Sequence, residues 1–248
     1  MLMRPDEYRV MFEIEDRYWW YRGVRALMRE LLPRYIHSRD ARILDAGCGT
    51  GANLELLQEY GRATGVDISE RALEFCRART GSRDRAFAAS ITDLPFAQNS
   101  FDLAVSFDVI CNIADDARAF AEIARVLKPG APFIALLPAH QWLWGEHDVA
   151  VGHQRRYSAR ETRAKLAFAG FRVERVLHTN ALLLPFIAAL RLTVRRAPSN
   201  GAAVHSDLMI LPSALNAALS ALFSAEMRVA ANWNFPFGLS VIAIASKL

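Results

Sequence analysis

Ile43-Leu44-Asp45-Ala46-Gly47-Cys48-Gly49-Thr50-Gly51 is the stretch on which the reading of this chain turns. An apolar run ending in an acid, followed by three glycines at alternating positions, reads as a strand, a tight turn and a helix start. The helix is ANLELLQEY, residues 52–60. In an open parallel sheet, ligands bind at the carboxyl ends of strands, beside helix N-termini. Glycine allows positive φ and lets a ligand come close to the backbone. A plain strand-to-helix turn needs one glycine, so three point to a ligand. Gly47-x-Gly49-x-x-Ala52 also satisfies the loose dinucleotide fingerprint, and Asp67 would suit a ribose in either case. The nine residues alone leave the ligand open.

Outward from this turn, short apolar runs keep alternating with helical stretches. ATGVDI (63–68) is a second strand, and ERALEFCRAR (70–79) a helix. RAFAAS (85–90) is a weak third strand and FDLAVSF (101–107) a fourth. The helix ADDARAFAEIARVL (114–127) stops at Lys128-Pro129-Gly130, a cation followed by a breaker pair. APFIALL (131–137) is a fifth strand. Near-continuous apolar strands separated by helices predict a parallel sheet covered on both faces. The first forty residues read as helix, with Tyr18, Trp19, Trp20, Val24, Leu27, Leu31 and Leu32 near a period of three to four. Beyond 139 come the helix SARETRAKLAFAG, the strand FRVERVLH, a long segment 181–238, and the closing strand LSVIAIASK. One α/β domain with helical embellishments is expected over 1–248: a cap (1–40), a core (41–138), a loop, helix and strand (139–180), an insertion (181–238) and a last strand (239–248).

Composition narrows the classes. The 248 residues are 52% hydrophobic and 23% charged, too apolar for a disordered chain. Thirty basic against 26 acidic residues give +4, short of a nucleic-acid footprint. The basic excess is carried almost wholly by arginine, since only Lys128, Lys165 and Lys247 are lysines. Three cysteines, Cys48, Cys76 and Cys111, without CxxC spacing disfavour a disulfide scaffold or a structural zinc site and suit a reducing, cytoplasmic compartment. Charges in MLMRPDEYRV disfavour a signal peptide. No run of eighteen apolar residues suggests a transmembrane span.

Four ordered motifs over residues 41–138 separate the ligands. Asp45-x-Gly47-x-Gly49-x-Gly51 resembles motif I of class I S-adenosylmethionine-dependent methyltransferases. GVDIS resembles the family's second motif, Thr92-Asp93-Leu94-Pro95-Phe96 its adenine segment, and FDLAVSFDVI with EIARVLKPGAPFIALLPA its fourth and fifth strands. The resemblance is to the type 11, quinone-biosynthesis-like small-molecule branch. It implies a Rossmann-like, doubly wound, seven-stranded mixed sheet with the last strand antiparallel, and S-adenosylmethionine as cofactor. It places Asp45, Ala46, Gly47, Cys48, Gly49 and Gly51 near the amino-acid portion, Asp67 and Ile68 at the ribose, and Asp93, Leu94 and Phe107 around the adenine end. A sulfonium cation needs no phosphate cradle, so acids suit its site. Cys48 is expected to fill the turn rather than react.

The acceptor is less legible. Base- and glutamine-directed relatives carry an Asp/Asn/Ser-Pro-Pro-aromatic turn after strand four; here that place reads Phe107-Asp108-Val109-Ile110-Cys111-Asn112. Relatives with Glu-His at this place contrast with Cys111-Asn112, which removes a candidate base. A replacement is expected after strand five, with His147 or His153 as base and Asp148 orienting the ring. Arg155 and Arg156 would hold an acceptor carboxylate or phosphate, with Trp20, Arg22, Asn112 and Tyr157 also on the acceptor side. The competing reading makes this loop structural, its histidines and arginines capping element ends. No metal is expected, since His147 and His153 lack a carboxylate set at ligand spacing.

In the insertion, Leu215, Leu219, Leu222 and Phe223 form one helical face after Ser213, a candidate N-cap. Phe186, Ile187, Leu190 and Val194 form another, ending in Arg191, Arg195 and Arg196. Such helices lie on an anionic membrane, line a greasy acceptor pocket, or are buried as a cap or dimer surface. The expected activity is methyl transfer to an oxygen of a small-molecule or lipid-like acceptor, with peripheral contact through 181–231 at the inner membrane face and no nucleic-acid partner. The alternatives are a cofactor-holding, non-catalytic membrane- or partner-binding protein and an NAD-dependent oxidoreductase.

Overall fold

A computed structural model describes residues 5–80, 85–194 and 211–248. Its strands are β1 (Arg42–Ala46), β2 (Arg62–Asp67), β3 (Ala86–Ala88), β4 (Leu103–Phe107), β5 (Pro132–Pro138), β6 (Phe171–Thr179) and β7 (Ser240–Lys247). They form one sheet in the order β3-β2-β1-β4-β5-β7-β6. The pairs from β3 to β5 are parallel, and β7 runs antiparallel to both β5 and β6. Strand order reverses beside β1, so the crevice of the doubly wound sheet opens where the glycine turn lies.

Alternation along the strands sorts side chains to two cores. Leu44, Ala104, Phe133 and Ala135 enter one, with Phe120 and Ile123 of α5 (Asp116–Val126) and Leu166 of α7 (Ala159–Phe168). Ile43, Leu103, Val105 and Ile134 enter the other, with Leu54 of α3 (Ala52–Gln58) and Leu73 of α4 (Glu70–Thr80). Burial on both faces explains why the strands read as continuous apolar runs.

The N-terminal segment, expected as helix throughout, is two helices, α1 (Pro5–Ile14) and α2 (Trp19–Tyr35). The break has a physical cause: Arg25 Nη2 turns back to the carbonyls of Glu15 (2.6 Å) and Asp16 (3.1 Å), fixing a turn between the two.

The insertion contributes α8 (Leu184–Val194) and α9 (Ser213–Ala230); Arg195 and Arg196 lie outside the described residues. Ser213 is the first residue of α9 rather than its cap. Leu215, Leu219, Leu222 and Phe223 fall along one stripe of α9, which is buried only at its Phe223 edge. Phe223, Met227 and Ala230 face inward, whereas Leu215 and Leu222 are nearly half exposed. Helix α9 packs along α2, where the Phe223 ring occupies the space a side chain at Gly23 would need. Asn216 Oδ1 accepts the Trp19 N–H at 3.0 Å and its Nδ2 donates to Arg17 O at 2.8 Å. The first turn of α2, which has no side-chain cap of its own, is thereby capped from the insertion. At the other end of α9, Arg34 and Arg175 donate to the Ala231 carbonyl, at 3.1 and 2.5 Å. The buried Glu226 carboxylate accepts the N–H groups of Ala181 and Leu182, at 2.8 and 3.2 Å. No helix among the described residues is long and apolar enough to cross a membrane.

Candidate functional site

The glycine turn is bound to β2. Gly47 and Cys48 donate to Val66 O at 2.8 and 2.9 Å, and Gly49 N donates to Asp67 Oδ2 at 3.0 Å. Gly47, Gly49 and Gly51 have φ of 93°, 53° and 96°, a region that disfavours a Cβ. A side chain at Gly47 would also collide with Val109, just after β4, and one at Gly51 with Cys76 behind the turn. Cys48 is buried, its thiol pushed up by a hydrogen bond with Cys76 and by burial, in keeping with a packing role.

Three acids follow the carboxyl edge. Asp45, at 1% exposure, has an Oδ2 with no hydrogen-bond partner. Burial, reinforced by Asp67 and Glu15, pushes its carboxyl up to about 7. Asp67 is also raised by burial, against the opposing pull of the Ser69, Gly49 and Ile68 N–H groups. Its oxygens are aimed by Gly49 and by Ser69 N at 2.9 Å, while Ile68 beside it is exposed. Asp93 sits exposed on a turn pinned from α5. Leu94 N donates to Glu122 Oε2 (2.9 Å), Arg118 donates to Thr92 O (2.8 Å), and Arg125 donates to Leu94 O (2.9 Å) and Phe96 O (2.7 Å). Leu94 and Phe107 are buried below that edge, and Ala46 is wholly buried.

Helix α1 lies across the turn, with Met11 where a Gly49 side chain would point. Thr50 Oγ1 donates to Glu15 Oε1 at 2.5 Å, and Arg79 of α4 pairs with Glu15 (3.0 Å) and Asp16 (2.6 Å). Burial pushes the Glu15 carboxyl up to about 7 despite these partners. Arg25 on α2 is buried, with an unpartnered Nη1. Sequence reasoning missed Glu15 and Arg25 because an isolated acid or arginine on a helix carries no spacing signature.

On the far side of β1 lie the residues expected to meet the acceptor. Asp148, in the short helix α6 (Glu146–Ala150), is fully buried and is a hub. It accepts from His153 Nδ1 (2.8 Å), Arg156 Nε (2.7 Å), Gly145 N (2.8 Å) and Arg191 Nη1 (3.1 Å). Burial opposes ionisation, yet the His153 and Arg156 hydrogen bonds hold this carboxyl well below the usual range. His147 meets the His153 ring edge-on, with centroids 6.0 Å apart. Asn112 is half-buried after β4, and Trp20 stacks edge-on against Tyr21 at 5.0 Å. Arg22 is exposed on α2.

Two acceptor-side expectations are corrected, those for Tyr157 and Arg156. Tyr157 is a core residue whose hydroxyl donates to Asp116 Oδ2 at 2.9 Å. Arg156 is buried against Asp148 and the Ala139 carbonyl. Arg155 pairs with Asp116 at 2.9 Å and donates to Ala114 O. Tyr157 and Arg156 are thus engaged inside the protein, while Arg155 is half-buried with its guanidinium on Asp116 and Ala114. Asp108, which follows β4 directly, went unsingled in the sequence. It has a φ of 54° and a buried Oδ1 without a partner.

The fold and this edge define a nucleoside-binding α/β protein of the methyltransferase type. Residues 44–135 match the methyltransferase-domain family, type 11. A probable S-adenosylmethionine-dependent methyltransferase of Mycolicibacterium smegmatis is 31% identical over 166 residues, 66% of this chain and 63% of the relative. The O-methyltransferase rstn1 of Aspergillus nomiae is 35% identical over 112 residues, 42% of this chain and 50% of the relative. The chain thus spans less than two thirds of the length of these relatives. Among solved structures, an S-adenosylmethionine-dependent methyltransferase from Mesorhizobium loti superposes with TM-score 0.58 at 19% identity, covering 89% of this chain and 98% of that one. A geranyl diphosphate methyltransferase in complex with GPP and sinefungin gives 0.59 at 19% identity, covering 89% of this chain and 76% of that one. Residues 44–135 thus carry a class I S-adenosylmethionine-dependent methyltransferase domain of the type 11 branch.

The residues present fit that cofactor. Its amino-acid end is a zwitterion, and the edge offers an unpartnered carboxylate oxygen on β1, Asp45 Oδ2, and an unpartnered guanidinium nitrogen on α2, Arg25 Nη1. Asp67 would take the ribose hydroxyls, and Asp93 with Leu94 the adenine.

Proposed function

We propose that the chain transfers the methyl group of S-adenosylmethionine to an oxygen of a small-molecule acceptor. The observation that carries this is the row of acids at the carboxyl edge. Glu15, Asp45 and Asp67 are all buried or half-buried and shifted toward neutrality by that burial. A dinucleotide pyrophosphate set among them would meet like charge, whereas a sulfonium and an ammonium relieve it. The fungal O-methyltransferase among the relatives supports oxygen as the methylated atom. The acceptor enters beyond β4, where Trp20, Asn112, His147 and His153 form its wall and Asp148 holds the His153 ring. Much of the rate comes from aligning acceptor and sulfonium in line.

A second feature favours surface contact by the insertion. Phe186, Leu190, Leu215, Leu222 and Val229 are 45–71% exposed. Co-sedimentation with anionic liposomes at low salt tests this; protein left in the supernatant refutes it.

Methyl-labelled S-adenosylmethionine, incubated with the protein and a cell extract split into aqueous and organic phases, tests the activity itself. Label in the aqueous phase supports a polar small acceptor, and label in the organic phase a lipid-like one. No label in either refutes methyl transfer and leaves a protein that only holds cofactor.

A further inference from the structure

The groups that receive the cofactor follow strand order along the edge. On the cofactor placement given above, Asp93 beyond β3 would face the adenine, Asp67 on β2 the ribose and Asp45 on β1 the amino-acid end. The next strand is β4, so the reactive methyl is directed toward its carboxyl terminus. Asp108 is the first residue there. Its backbone is left-handed, a strained state for a residue with a Cβ. It is fixed on both sides, since its N–H donates to Leu136 O at 2.9 Å and the neighbouring Val109 side chain rests on Gly47.

Around its carboxyl group stand Tyr21 from α2, Cys111 from the turn after β4, and His153, Arg156 and Asp148 from the segment after β5. Arg156 and His153 are both tied to Asp148, and none of these groups donates to Asp108 Oδ1. Among the described residues, buried polar atoms near this edge without partners are Arg25 Nη1, Asp45 Oδ2, Asp108 Oδ1 and, behind the turn, Arg79 Nε. The cofactor's zwitterion would account for the first two. Asp108 Oδ1 is then left open to another ligand.

We propose that Asp108 is a catalytic residue, its free carboxylate oxygen facing the transferring methyl and taking the proton of an acceptor hydroxyl. The assignment rests on the methyl-transfer reading above. As the acceptor oxygen forms its bond to the methyl carbon, the carbon–sulfur bond breaks and its electron pair returns to sulfur. Neutral adenosylhomocysteine leaves, and the hydroxyl proton passes to Asp108. The acceptor class is therefore a neutral alcohol, phenol or enol, deprotonated as it reacts rather than bound as an anion. Burial pushes the Asp108 carboxyl up to about 6, with His153 and Arg156 opposing, which makes it a stronger proton acceptor than an exposed aspartate.

Sinefungin carries an ammonium group where the cofactor carries its methyl, so it probes this position without any acceptor. Calorimetry should show sinefungin binding the wild type at least tenfold tighter than adenosylhomocysteine. Asp108→Asn should erase that preference while changing adenosylhomocysteine affinity less than threefold, and Asp108→Glu should retain it. An unchanged preference in a folded Asp108→Asn protein overturns the placement. Failure of the wild type to bind adenosylhomocysteine overturns the underlying functional reading instead.

For the proton, label transfer into the cell extract is followed from pH 5 to 8. Wild-type transfer should fall below about pH 6, as Asp108 becomes protonated. Asp108→Asn should lose about 100-fold or more and lack that acid limb, while His153→Asn loses less than tenfold. Loss of 100-fold in His153→Asn with Asp108→Asn nearly intact would move the proton to the imidazole and overturn the role of Asp108.

Discussion

Asp45→Asn asks how far the ligand-free protein is destabilised by the acid it keeps for its cofactor. Asp45 is 1% exposed, has an oxygen without a partner, and titrates at about 7 rather than at 3.8. Its folded pKa lies above its unfolded one, so the stability tied to its proton is fully present below about pH 4 and is lost as pH rises toward 7. Between pH 5 and pH 8 that loss spans about two pH units, or about 3 kcal/mol at 1.36 kcal/mol per unit. Asparagine does not titrate, and the other raised carboxylates, Glu15, Asp67 and Asp108, are common to both proteins. The difference in Tm, variant minus wild type, should therefore grow by about 6–12 °C from pH 5 to pH 8, at roughly 2–4 °C per kcal/mol. Thermal melts followed by circular dichroism at the two pH values read this directly. The same variant should bind adenosylhomocysteine about 10–100-fold more weakly, through loss of a charged hydrogen bond of about 1.5–3 kcal/mol. A Tm difference equal at pH 5 and pH 8 would refute the reasoning, because Asp45 would then carry no unrelieved charge.

Gly47→Ala must place a Cβ at φ 93° and displace Val109. It should weaken adenosylhomocysteine binding at least tenfold by calorimetry, and wild-type affinity would show that the turn adapts. Asp148→Ala leaves Arg156 and Arg191 without their shared carboxylate. It should cost about 3–5 kcal/mol and lower Tm by about 6–20 °C at neutral pH, seen in thermal melts. Asn216→Ala removes the cap on α2 and should lower stability by about 1 kcal/mol, with faster amide exchange at Trp19 and its neighbours while the β1 and β4 amides stay protected.

What the sequence made legible has local causes. Apolar strands bounded by Gly47-x-Gly49-x-Gly51, by Lys128-Pro129-Gly130 and by helical periodicity announce themselves within ten residues, and β1, β2, β4 and β5 fall where those signals lie. The positions of Asp45, Asp67 and Asp93 along the carboxyl edge were legible for a related reason, since each lies at a strand end or in a turn. The acceptor side was misread because its meaning is tertiary. Tyr157 and Arg156 look like surface groups in a polar loop, yet one reaches Asp116 across 41 residues and the other is drawn inward by Asp148. Glu15 and Thr50 meet across 35 residues, and Asn216 reaches Trp19 across 197; no spacing rule links such pairs. Asp108 stood beside a motif that was read for its apolar neighbours, and only its missing partner sets it apart.

The Asn216 cap and the Phe223 ring seated on Gly23 have an evolutionary consequence. They join the insertion to the aromatic turn Trp19-Trp20-Tyr21 and leave Asp45, Asp67 and Asp93 untouched. On the functional reading proposed above, the insertion would bear on the acceptor wall while the three acids of the cofactor edge stand on strands and turns it does not touch. On that reading a drifting insertion would retune which molecules are admitted, while the acids that receive the cofactor stay constant.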